Sequence, residues 1–151
     1  MADLRTFARR MRNIGTKVQH NSDALVRKVA IAIDSAVVLA TPVDTGRARS
    51  NWQVEINAPA AGAIDAHYPG KEGSTQGQNA QKALDLGREK IDEYKTGSTI
   101  HITNNLPYIG RLNDGYSAQA PVGFVESAVL VGVATIQGAG SIITDDIQDE
   151  S

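Results

Sequence analysis

Cysteine is absent from the chain. That removes disulfides and thiolate metal sites together, so stability has to come from packing or association. Aromatic residues are scarce, at 5% with a single tryptophan, and no stacking platform for nucleic acid is recognisable among them. No apolar stretch reaches the ~20 residues of a membrane span, and the first residues carry no signal-peptide-like apolar core. The three histidines, His20, His67 and His101, lie far apart with no partner at metal-ligand spacing.

The motifs of catalysis are missing as well. Gly70-Lys71 runs into Glu72 and has no correctly spaced glycine before it, so it is no phosphate-cradling loop. Gly138-Ala-Gly140 is a fragment of a dinucleotide fingerprint without a strand ahead of it, and no Gly-x-Ser-x-Gly elbow occurs. The carboxylates Glu89, Asp92 and Glu93 read as the outer face of a helix, and Asp145-Asp146 belongs to an acidic tail. The sequence therefore offers no catalytic set and no cofactor or metal site, and the expectation is a protein that is not an enzyme.

What is present is a soluble-type composition, 41% apolar and 21% charged over 151 residues, the size of one domain. The net charge of −2 hides an asymmetry. Residues 1–50 hold nine basic against four acidic groups, a balance of +5, while residues 101–151 hold one against six, a balance of −5. Such opposition suits head-to-tail contact between copies, or a basic surface near nucleic acid.

Leu4, Phe7, Met11, Ile14 and Val18 alternate in steps of three and four, which predicts a helix with one apolar stripe. Asn21-Ser22-Asp23 reads as the start of a second helix, whose body, Leu25 to Ala40, ends before Pro42. Thr41-Pro-Val-Asp-Thr-Gly46 is a compact turn, and Trp52, Val54 and Ile56 alternate as a half-buried strand. Residues 57–79, rich in Ala, Gly, Ser and Gln, read as a long flexible loop. A third helical stripe follows from Ala80 to Tyr94, then a short strand from Thr99 to Thr103. Residues 122–137 are apolar and β-branched; periodicity leaves helix or strand open, and length favours a helix. A further strand around Ser141 to Thr144 is one way to complete the sheet, and residues 144–151 read as a disordered acidic tail. The expected fold is α+β over residues 1–143: a small antiparallel or mixed β-sheet packed against a long N-terminal helix pair and a C-terminal helix. Two strands alone are rarely stable in water, so the chain is expected to associate.

Two segments carry a resemblance. Thr41-Pro-Val-Asp-Thr-Gly-Arg-Ala-Arg-Ser-Asn-Trp52 resembles the helix-to-strand junction of the tail-completion proteins (neck or tail-terminator proteins) of long-tailed phages. Asn104-Asn-Leu-Pro-Tyr108, with Arg111-Leu-Asn-Asp-Gly115 and Ser117-x-Gln-Ala-Pro-x-Gly123, is similar to the second hallmark of that family, in the same order along the chain. The pattern departs at Asn113-Asp114, where the family resemblance would place Glu followed by an aromatic residue, and in the long region 57–95. The resemblance implies a virion structural protein made in the bacterial host cytoplasm and placed at the head–tail junction. There it would form a ring, of six copies by the resemblance, that completes the tail tube and meets the head connector or stopper protein.

By residue type, Arg47, Arg49, Trp52, Tyr108, Arg111, Asp114 and Tyr116 are the candidates for subunit or partner contacts. Trp52 and Tyr108 have core filling as their plainer role, and the arginines a solvated surface. Arg5, Arg9 and Arg12 are candidates for contact with DNA in a channel, a nonspecific one. The alternative function is a small DNA-binding protein using the basic N-terminal helix.

Overall fold

The computed structural model describes residues 4–42, 46–115 and 122–136. In chain order the elements are α1 (Leu4–Ala40), α2 (Arg47–Ser50), β1 (Trp52–Ile56), α3 (Gln76–Asp92), β2 (Ile100–Asn104), α4 (Ile109–Asn113) and α5 (Phe124–Ile136). The fold mixes helices with a two-stranded antiparallel sheet, in broad agreement with the α+β expectation.

The expected N-terminal helix pair is one continuous helix of 37 residues. Asn21, Ser22 and Asp23 do not break it, because each costs a helix only about 0.5–0.7 kcal/mol relative to Ala and no proline intervenes. The Asp23 carboxylate serves a tertiary contact instead of a cap. Gln19 Nε2 donates to Thr96 Oγ1 at 2.9 Å, and Thr96 Oγ1 donates to Asp23 Oδ2 at 2.6 Å. The helix stops where expected: Thr41 Oγ1 donates back to Val37 O at 2.6 Å, ahead of Pro42.

In the sheet Trp52 pairs with Asn104, Val54 with Ile102, and Ile56 with Ile100. Trp52 and Val54 are buried, and Ile100 and Ile102 pack inward beside them. One core cluster joins Val37, Val38, Trp52, Ala80, Ala83 and Ala128; a second joins Ala30, Val54 and Ile91, and Ile102 touches both. Small residues on α3 let it sit close to α1, most closely at Gly87, where an added Cβ would strike Asp34 and press on Val54.

The helix alternative for residues 122–137 is the one observed. Gly132 sits on the backbone of Ile33 and Ala32, with room for no Cβ. Val125, Ala128 and Val129, earlier in α5, cluster with Ala36, Val37 and Ala40, later in α1. The two helices therefore run antiparallel, and α5 ends heading toward the N-terminal half of α1. The expected loop 57–79 is shorter at its far end, since α3 begins at Gln76. The strand considered at Ser141 to Thr144 and the tail 144–151 lie outside the described residues.

Candidate functional site

The two motif segments meet in space. β1 begins at Trp52 directly opposite Asn104, and Asn104 Nδ2 donates to Ala48 O at 2.9 Å, tying the end of β2 to α2. Gly46 enters α2 with φ of 84°, a left-handed conformation that suits glycine, and an added Cβ there would strike the Asn79 amide.

Asn79, Asn51 and Ser50, all fully buried, form a polar hub under this junction. Asn79 Oδ1 accepts the Tyr68 N–H at 2.8 Å, and its Nδ2 donates to Tyr68 O at 2.9 Å. Asn51 does the same for Ile64, accepting its N–H at 2.7 Å and donating to its carbonyl at 2.8 Å. Ser50 Oγ accepts the His67 N–H at 3.1 Å and lies 2.9 Å from Asn79 Oδ1. Side-chain amides with both faces used replace the backbone ladder that residues 57–75 lack, since buried polar groups need partners. Sequence reasoning missed these three residues. Asn79 lies in Gln76-Gly-Gln-Asn-Ala, where nothing in the composition separates it from the exposed Gln76 and Gln78.

The sequence-derived candidates divide sharply. Trp52 is 8% exposed, packs in the main core and donates from Nε1 to Thr41 Oγ1 at 2.7 Å, so core filling is its observed role. Arg49 donates from Nε to Thr41 O and from Nη2 to Leu39 O, both at 3.0 Å, a cation on the last carbonyls of α1. Arg47 donates from Nε to Ile64 O at 3.2 Å and helps hold the loop. Tyr108, Arg111 and Asp114 fall together on the surface along α4 and its ends. Tyr116 lies outside the described residues. Arg5, Arg9 and Arg12 are exposed on the N-terminal half of α1, away from the other candidates.

Asn113, where the chain departs from the resembled pattern, has a structural task. Its Oδ1 accepts the Val125 N–H at 2.9 Å, its carbonyl accepts the Gly123 N–H at 2.7 Å, and its Nδ2 donates to the Glu126 carboxylate. It thus supplies, from another element, the cap that α5 needs at its N-terminus. That hydrogen bond, followed by one from the backbone, holds Glu126 below the usual carboxylate range.

A cavity of about 170 Å³ lies between β1, α3 and the loop, with Trp52, Val54, Ile64, His67 and Gly87 in its walls. Burial, and secondarily Lys82, push the His67 imidazole below its ordinary pKa. Glu55 and Lys90, paired at 3.4 Å, also line it. Among the described residues, no group of three or more His, Asp or Glu could hold a metal ion. No helix among them is long and apolar enough to cross a membrane.

The exposed apolar surface is extensive. On α5, Leu130 is 70% and Val131 60% exposed, and Leu39 on α1 is 55% exposed. Residues of that kind in groups mark contact surfaces more often than solvent faces. Comparison with protein-family models, with curated proteins and with solved structures finds no match for this chain.

Proposed function

We propose that this protein is a virion structural protein of a tailed phage, without catalysis, working as a homo-oligomeric ring at the head–tail junction. In this role it completes the tail tube and joins it to the head connector. The observation that carries the reading is the juxtaposition of Thr41–Trp52 with Asn104–Gly115 through the Trp52–Asn104 pair and the Asn104–Ala48 hydrogen bond. Two segments that separately resemble one family's hallmarks are tied to each other here by that pair and that hydrogen bond. Association between copies draws on the apolar exposure of Leu39, Leu130 and Val131. It draws also on a sheet of only two strands among the described residues, each with one edge not paired to a strand.

The test mixes the purified chain with recombinant tail tubes and connectors of its own phage and images the products by electron microscopy, with sedimentation alongside. Ring-sized particles, or caps at tube ends, are expected. A protein that stays monomeric at all concentrations and joins neither tubes nor connectors overturns the reading.

The DNA-binding alternative rests on the exposed Arg5, Arg9 and Arg12. Duplex DNA titrated at several salt concentrations separates the two, because phosphate contacts give affinity that falls steeply with salt.

A further inference from the structure

The backbone groups on the outer edge of β2 have no partner among the described residues. Asn57 N donates to Thr99 O at 2.7 Å, just beyond the Ile56–Ile100 pair. Bonded and non-bonded pairs alternate along an antiparallel ladder, so Glu55–His101 and Gln53–Thr103 are the bonded ones. Ile100 and Ile102 therefore turn their N–H and carbonyl groups away from β1, and no described residue bonds to them there. Beside that edge an open groove of about 530 Å³ runs between β2 and α1. Leu25, Val26, Val29 and Ile33 form its helical wall, Ile100 and Ile102 its strand wall, and no charged side chain lines it.

Open strand edges are ordinarily guarded by charge or proline. β1 has such a guard in Glu55, ion-paired with Lys90 of α3 at 3.4 Å. β2 has none: Ser98 to Leu106 holds no Asp, Glu, Lys, Arg or Pro. A row of free donors and acceptors over an apolar groove has the chemistry of strand addition, in which main-chain bonds supply affinity and alternate side chains enter the groove. A second copy's β2 offers the same bonds, but it brings its own α1 beneath the joined sheet. Ile33 lines the groove and its backbone lies against Gly132 of α5, so α5 already stands on the side that second helix needs. A lone extended segment carries no such companion.

We propose that an extended segment of a partner protein adds as a third strand on the free edge of β2. Its apolar side chains, at alternate positions, lie over Val26, Val29 and Ile33, and its polar ones face outward beside His101 and Thr103. The addition completes a sheet that two strands alone leave marginal, and it leaves the outer side of α5 for contacts between copies. The inference does not rest on the head–tail reading, and either can fail without the other.

The probe is a short synthetic peptide that alternates valine and threonine, titrated into the isotope-labelled full-length protein. The Ile100 and Ile102 amides are expected to shift, and to exchange with deuterium about tenfold more slowly or better. Val26 is 38% exposed, and Val26→Glu should weaken binding by about tenfold or more, while Lys28→Glu, off the groove, should not. Of two further peptides, one N-methylated on its valine amides and one on its threonine amides, only one should still bind, because only one set faces β2. No shift at the highest soluble peptide concentration overturns the proposal, as does binding indifferent to Val26→Glu or equal behaviour of the two methylated peptides. Amides of Ile100 and Ile102 that are already protected without peptide, and more so as protein concentration rises, also overturn it and assign the edge to a second copy.

Discussion

Among the described residues, Asp34 is the carboxylate whose ionisation burial opposes most. It is 2% exposed on α1, its Oδ1 has no hydrogen-bond partner, and Gly87 of α3 lies against its other oxygen. Burial pushes the carboxyl up to about 7, with Arg88 pulling the other way. An unfolded chain gives up this proton near pH 4, so between about pH 4 and about pH 7 only the folded state holds it. The contribution of Asp34 to stability is therefore fully present below pH 4 and is lost as pH rises to about 7, by at most about 4 kcal/mol. Asp34→Asn is expected to remove that slope. Urea unfolding of both proteins from about pH 4 to about pH 8 should show the variant gaining on the wild type across the window. A constant difference would refute the buried-carboxylate account. The comparison has to be a difference, because His67, with its pKa lowered, contributes a slope of opposite sign near neutrality. Asp34 is the one charged residue in the apolar run Ala30–Leu39; its close neighbour Gly87 comes from α3, distant in the chain.

Among the elements, α1 and α5 show how much depends on a single missing Cβ. A Cβ on Gly132 would stand 2.8 Å from Ile33 Cα, which is backbone and cannot swing aside. Helix propensity favours Gly→Ala by up to about 1 kcal/mol, but overpacking a tight contact costs about 1–3 kcal/mol. Gly132→Ala is therefore expected to be destabilising. Gly15, on the exposed part of α1, has nothing within 4 Å of its would-be Cβ, so Gly15→Ala should stabilise by about 0.5–1 kcal/mol. Thermal unfolding of the two variants reads out opposite signs. Equal signs would mean that the α1–α5 contact is looser than described. From sequence, both glycines are interruptions of a helical pattern and cannot be told apart. The continuity of α1 was hidden for a related reason: Asn21-Ser22-Asp23 has the composition of a cap, and the Gln19–Thr96–Asp23 contact that uses it spans residues far apart in the chain.

At the scale of the whole molecule, the outer side of α5 is the surface where copies are expected to meet. Leu130→Lys with Val131→Glu alters two exposed side chains and should change stability by no more than about 0.5 kcal/mol. The same pair should shift the sedimentation of any oligomer toward monomer. An oligomer indifferent to both changes would place the interface elsewhere, on the open sheet edges or along α4.

The sequence patterns by themselves determined most of the element types: the helical stripes of α1 and α3, the alternation of β1 and β2, the stop at Pro42 and the left-handed backbone at Gly46. These are local matters, in which a face must be apolar to be buried and a backbone angle must suit its residue. Tertiary structure decided what depends on groups distant in sequence. It put Trp52 in the core and Arg49 on the last carbonyls of α1. It turned Asn51 and Asn79 into the partners of a loop backbone and made Asn113 the cap of α5. In each case the decisive quantity is the hydrogen-bond or packing partner supplied by another element, and no single stretch of sequence contains both halves of such a contact.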